Sequence, residues 1–62
     1  MNINIGDKVI TTHGDIGVIV DKDHRISFDK NNNITNQWIV ELTLDKSKVK
    51  LPFFEYELYR ED

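Results

Sequence analysis

The sequence predicts a small all-β barrel, one sheet curled around a thin core. Three observations predict it. Apolar residues recur at spacing two: Trp38, Val40, Leu42 and Leu44 alternate with Ile39, Glu41 and Thr43, and Val49 and Leu51 alternate with Lys48 and Lys50. Period two marks strands with one face on a core. Isoleucine, valine and threonine abound while alanine is absent, which favours strand over helix. Short clusters of Gly, Asp, Asn and Ser separate the apolar runs, as turns do.

The elements follow in order. A first strand is expected over 7–12, preceded by Ile3 and Ile5, which would cover one end of the core. The second, 16–21, is apolar on both faces except at Gly17, as suits a strand buried on both sides near the closure of a small barrel. A weaker third strand is expected over 25–28, with Ile26 and Phe28 on one face. The fourth spans 37–44 and the fifth 48–53. His13-Gly14-Asp15 supplies a glycine for a positive backbone angle between the first two strands. Asp45-Lys46-Ser47 joins two clearly alternating runs and reads as a hairpin turn. Residues 29–36, with Asn31, Asn32 and Asn33, read as an exposed, mobile loop. After Pro52 the alternation lapses. Residues 54–58 are too few for a free-standing helix and suit a 3-10 turn. Leu58 would then plug the barrel end, and Tyr59-Arg60 would add a brief closing strand. The expected core is Val9, Ile19, Val40, Leu42, Val49, Leu51 and Leu58.

Four segments carry a family resemblance. Ile5-Gly6-Asp7-Lys8-Val9 resembles the glycine-aspartate entry of SH3-like barrels, and Gly14-Asp15-Ile16-Gly17-Val18-Ile19-Val20 their glycine-led second strand. Trp38-Ile39-Val40-Glu41-Leu42 is similar to their central strand, and Phe53-Phe54-Glu55-Tyr56-Glu57-Leu58 to their closing turn. The resemblance implies a five-stranded SH3-like barrel with a short 3-10 turn before the last strand. KOW-type domains, Tudor-like domains and the small ferredoxin-docking subunits of photosynthetic complexes share this layout. Their functions are nucleic-acid contact, recognition of modified peptides and docking of redox partners, so the pattern transfers architecture and little else. KOW domains that contact RNA carry basic loops, whereas the first hairpin here offers His13 and Asp15. A Tudor cage needs several aromatics on one rim, and the core must claim some of the six in this chain. The asparagine-rich loop and small size resemble proteins of bacterial mobile elements.

At 62 residues the chain is expected to be one domain, 1–62, burying only about 60% of its unfolded surface. Without cysteine it has neither disulfides nor thiolate ligands, so stability rests on packing and strand pairing. No apolar run is long enough for a membrane helix, and the first ten residues, with Asp7 and Lys8, lack the layout of a secretion signal. A cytoplasmic location is expected, which makes Asn33-Ile34-Thr35 a chance match to a glycosylation acceptor. The net charge of −3 argues mildly against a protein built to neutralise phosphates.

Catalytic signals are lacking, and no enzyme activity is expected. Ser27 and Ser47 have no glycine-framed elbow, and His13 and His24 fall near turns with no triad spacing. Asp21, Asp23 and His24 are close in sequence but match no calcium loop and read as a solvated acidic turn. Gly14 and Gly17 precede no helix, so they form no phosphate cradle. No metal or cofactor is expected.

Two candidate surfaces remain. From residue 53 onward Glu55, Glu57, Glu61 and Asp62 stand against Arg60, a local −3 that equals the net charge of the chain. Tyr56 and Tyr59 interleave with these acids, and tyrosine suits interfaces because its ring packs while its hydroxyl bonds. Trp38, Phe54, Glu55, Tyr56, Glu57 and Tyr59 are therefore the candidate rim for a protein partner. The alternative is a nucleic-acid contact through Lys46, Lys48 and Lys50 of the 45–50 hairpin, extended by Lys30 or Arg25 and with Trp38 or Tyr59 for base stacking, although alternating lysines also guard a sheet edge against unwanted pairing. A domain this small would also gain from homo-oligomer formation.

Overall fold

The computed structural model describes residues 3–61 and, for Ile26, the backbone alone; Asp62 of the acidic terminus lies outside the described residues. The chain is all-β, with strands β1 (Lys8–Thr11), β2 (Ile16–Phe28), β3 (Ile34–Leu44), β4 (Ser47–Phe54) and β5 (Leu58–Arg60). A 3-10 turn, Glu55–Glu57, separates the last two. Every ladder is antiparallel, in the order β4-β3-β2-β1-β5. Among the described residues β4 and β5 are the two outer strands, and the sheet is open between them.

Residues 16–21 and 25–28 are not separate strands. They form one long β2, whose register against β3 shifts between Ile19 and Asp21 and again between Asp23 and Ser27. Each shift bends the strand and raises its twist, which lets a single strand serve both ends of a curled sheet. Beyond the second shift, Phe28 and Ile34 pair as an arm past the core, both exposed. The expected loop over 29–36 is correspondingly shorter. Asp29 Oδ1 accepts from the backbone N–H groups of Asn31 (2.9 Å) and Asn33 (3.0 Å), the Asp29 carbonyl accepts from Asn32, and Asn32 takes a left-handed φ of 63°. An aspartate bonding to its own loop is a turn device, so β3 begins at Ile34.

The alternation at 37–44 buries Trp38, Val40 and Leu42, which meet Ile3, Val9, Ile19 and Leu58; Val49 and Phe53 pack against this cluster. Thr11 is buried as well, its hydroxyl oxygen accepting from the backbone N–H groups of His13 and Asp15 (each 3.2 Å), while Gly14 supplies the positive φ of 88° for that turn. Two core assignments need correction. Leu51 faces the core side opposite Val40 but is 42% exposed, because β4 is an outer strand and, among the described residues, no further strand covers it. Ile5 does not cap the core beside Ile3 and is exposed. The second strand is not buried on both faces either: Ile16 and Val18, 55% and 38% exposed, point away from the core to a face that no second layer covers among the described residues.

Candidate functional site

β3 places Trp38 opposite Lys22 of β2 and Phe53 of β4. Its indole is buried, and Nε1 donates to Glu55 Oε1 at 3.3 Å. The Lys22 ammonium lies 5.6 Å from the ring centroid, within cation–π range. Trp38 is thus a junction between β2, β3 and the 3-10 turn.

Phe54 ends β4, and its backbone N–H donates to Glu57 Oε1 at 2.9 Å. A carboxylate reaching back across three residues fixes the entry to a helical turn. That geometry stacks the Tyr56 ring on Phe54, with centroids 5.4 Å apart and planes 7° from parallel. Tyr56 remains 49% exposed. It borders a hollow of about 230 Å³ whose other lining residues are Asp29, Lys30 and Asn31, on the turn between β2 and β3.

The structure therefore joins Trp38, Phe54, Glu55, Tyr56 and Glu57 in one cluster and gives each a distinct part. Trp38 is packing, Glu55 and Glu57 hold the turn, and Phe54 supports Tyr56. Tyr59 belongs to a different neighbourhood: on β5, opposite Ile10 of β1 and exposed. Lys30 was legible only as an extension of the lysine strip; the structure sets it instead with Asp29 and Asn31 beside Tyr56, and nothing local announces that the asparagine-rich turn borders the 3-10 turn.

The three lysines divide. Lys46 lies in the β3–β4 turn with a left-handed φ of 68°. Lys48 and Lys50 lie opposite Thr43 and Glu41, and the Lys48 ammonium is 4.0 Å from the Glu41 carboxylate. They share their face with an acid. Elsewhere on β2, the Arg25 guanidinium bonds both oxygens of Asp23 (Nε to Oδ1 3.0 Å, an Nη to Oδ2 2.6 Å), which holds the Asp23 carboxyl down at about 2. The Ser27 hydroxyl is bonded to Gln37 Oε1 at 3.0 Å.

Among the described residues no helix is long and apolar enough to cross a membrane, and no group of three or more His, Cys, Asp or Glu side chains converges as metal ligands do. The chain matches no family model, no curated protein and no solved structure.

Proposed function

We propose that this chain is a cytoplasmic, non-catalytic interaction module, an SH3-like barrel that binds another protein at the rim formed by Tyr56, Phe54 and Glu55 and the facing turn Asp29, Lys30 and Asn31. Support for the barrel reading comes from the sheet order, the twice-shifted β2 and the 3-10 turn between the last two strands. One observation carries the binding reading: a half-exposed tyrosine, pre-stacked on Phe54, borders a hollow with polar groups on its far side. An aromatic already held in place loses little entropy on binding, which is how rigid rings serve as interface anchors. Glu55, Glu57 and Asp29 beside it favour a partner segment that carries a basic side chain next to an apolar one.

Affinity capture from host lysate tests this, comparing the wild type with Tyr56→Ala. Tyr56 is outside the core, so the variant keeps the fold. Loss of specific captured proteins is the expected result. An identical captured set from both proteins sinks the rim. A nucleic-acid module, by contrast, would shift DNA or RNA at low ionic strength and release it steeply with salt.

A further inference from the structure

The outer face of the sheet carries a second surface, separate from the rim. The ladder registers align two transverse rows there. In the first, Lys8 lies opposite Val18, Val18 opposite Glu41, and Glu41 opposite Lys50. Glu61 completes it at the β5 end, where its N–H donates to the Lys8 carbonyl at 2.9 Å. In the second row, Tyr59 lies opposite Ile10, Ile10 opposite Ile16, and Thr43 opposite Lys48. Extending the Gly17–Leu42 register by one residue brings Ile16 to Thr43.

From one edge to the other, the first row reads Glu61, Lys8, Val18, Glu41, Lys50: negative, positive, neutral, negative, positive. Turned end for end and laid on itself, every charge meets its opposite and Val18 meets Val18. A two-fold axis along β2, in the plane between two such faces, performs that operation, exchanging β1 with β3 and β5 with β4. The same axis sets Ile16 on Ile16 and Ile10 on Thr43. It also brings Tyr59 to Lys48, a cation–π pairing. An isologous interface requires a patch that complements itself, and this face does so in both rows.

We propose that a second copy of this chain docks here, outer face on outer face, with the two-fold axis along β2. Ile16 and Val18 form the dry centre, and Lys8 and Glu41 of each copy pair across it. Packed sheets cross at roughly 30°, so contact is closest at this centre, while the longer side chains of the outer strands reach inward. The apolar centre is only Ile16 and Val18 and the rest of the contact is charge pairing, so the dimer is weak and salt-sensitive.

Sedimentation velocity from roughly 10 µM to 1 mM, a range that brackets weak association, tests the proposal. The wild type is expected to dimerise with concentration. Lys8→Glu and Glu41→Lys each oppose like charges and should raise the dimer Kd at least about tenfold. An equimolar mixture of these two variants sets an acidic face against a basic one and should dimerise again. Because Glu41→Lys also crowds Lys48 and Lys50, Ile16→Glu is the control: its site is exposed, so the fold is kept and the dimer is lost. A wild type monomeric throughout overturns the proposal, as do variants that dimerise like the wild type or a mixture no better than its parts.

Discussion

Trp38 of β3 and Glu55 of the 3-10 turn are joined by an indole-to-carboxylate hydrogen bond of 3.3 Å. The bond spans two elements that the sequence separates by the whole of β4. It engages one oxygen of Glu55 inside the molecule, while the charge of that carboxylate still contributes to the rim.

Glu55→Ala removes the acceptor and leaves a buried indole N–H without one. That loss costs roughly 1–3 kcal/mol, and the length of this bond places it near the lower figure. Glu55→Gln keeps an acceptor and should remain close to the wild type. Trp38 is the one tryptophan of the chain, so its emission reports urea unfolding directly. Equal midpoints for Glu55→Ala and the wild type would mean that the bond contributes nothing to stability.

The turn between β3 and β4 invites the opposite outcome. Leu44 pairs with Ser47, and the two residues between them, Asp45 and Lys46, have φ of 50° and 68°. Two-residue hairpins with both central φ positive favour glycine at the second position, and a side chain there costs about 1 kcal/mol. Lys46→Gly should therefore stabilise the domain by about that amount, raising Tm by roughly 4–8 °C in a chain of this size. A lower Tm would show that the lysine has a compensating role.

Most of the sheet was legible because period two is a direct consequence of one-sided burial. Trp38, Val40 and Leu42 announced β3 and its core face, and Gly14 announced the first turn. Less legible was anything that depends on where the sheet bends. A register shift leaves no local mark, so residues 22–24 read as a break between strands when they continue β2. Leu51 obeyed the alternation and still lies open, because alternation reports which face a residue is on and not whether an edge is covered. At the rim, Phe54 and Tyr56 were visible as aromatics, but the residues facing them across the hollow come from a turn brought there by the fold.

Acid stability tests the Asp23–Arg25 pair. Asp23 titrates at about 2 rather than 3.8, chiefly because the Arg25 side chain bonds its carboxylate, with a backbone bond from Arg25 adding to this. A depressed folded pKa means that the unfolded chain takes up the proton first as pH falls. The stabilisation is therefore complete above about pH 4 and is lost as pH falls through about 2. Asp23→Asn should be less stable than the wild type at neutral pH, with the difference closing over that interval in acid-unfolding curves. A gap that persists unchanged at the acid end would assign the effect to packing and not to the charge.

Gly17 decides how closely β3 approaches β2. It lies opposite Val9 on one side and Leu42 on the other, buried. A Cβ built there would stand 2.7 Å from the Glu41 carbonyl oxygen, from Leu42 Cδ2 and from Val40 Cγ1. The two side-chain tips can rotate, at the expense of core packing. The carbonyl belongs to the strand backbone and moves only if β3 separates locally from β2. Two effects oppose each other in Gly17→Ala: the alanine chain has less entropy to lose on folding, worth about 0.4–1 kcal/mol, while overpacking costs roughly 1–3 kcal/mol. With three contacts this short, one of them backbone, the steric cost prevails, and a net loss of about 2 kcal/mol is a large share of the stability of so small a domain. Denaturant unfolding should show a lower midpoint with an unchanged slope. An alanine variant as stable as the wild type would mean that the two strands have room to part here, and the tight approach of β3 to β2 would not be a constraint on the core.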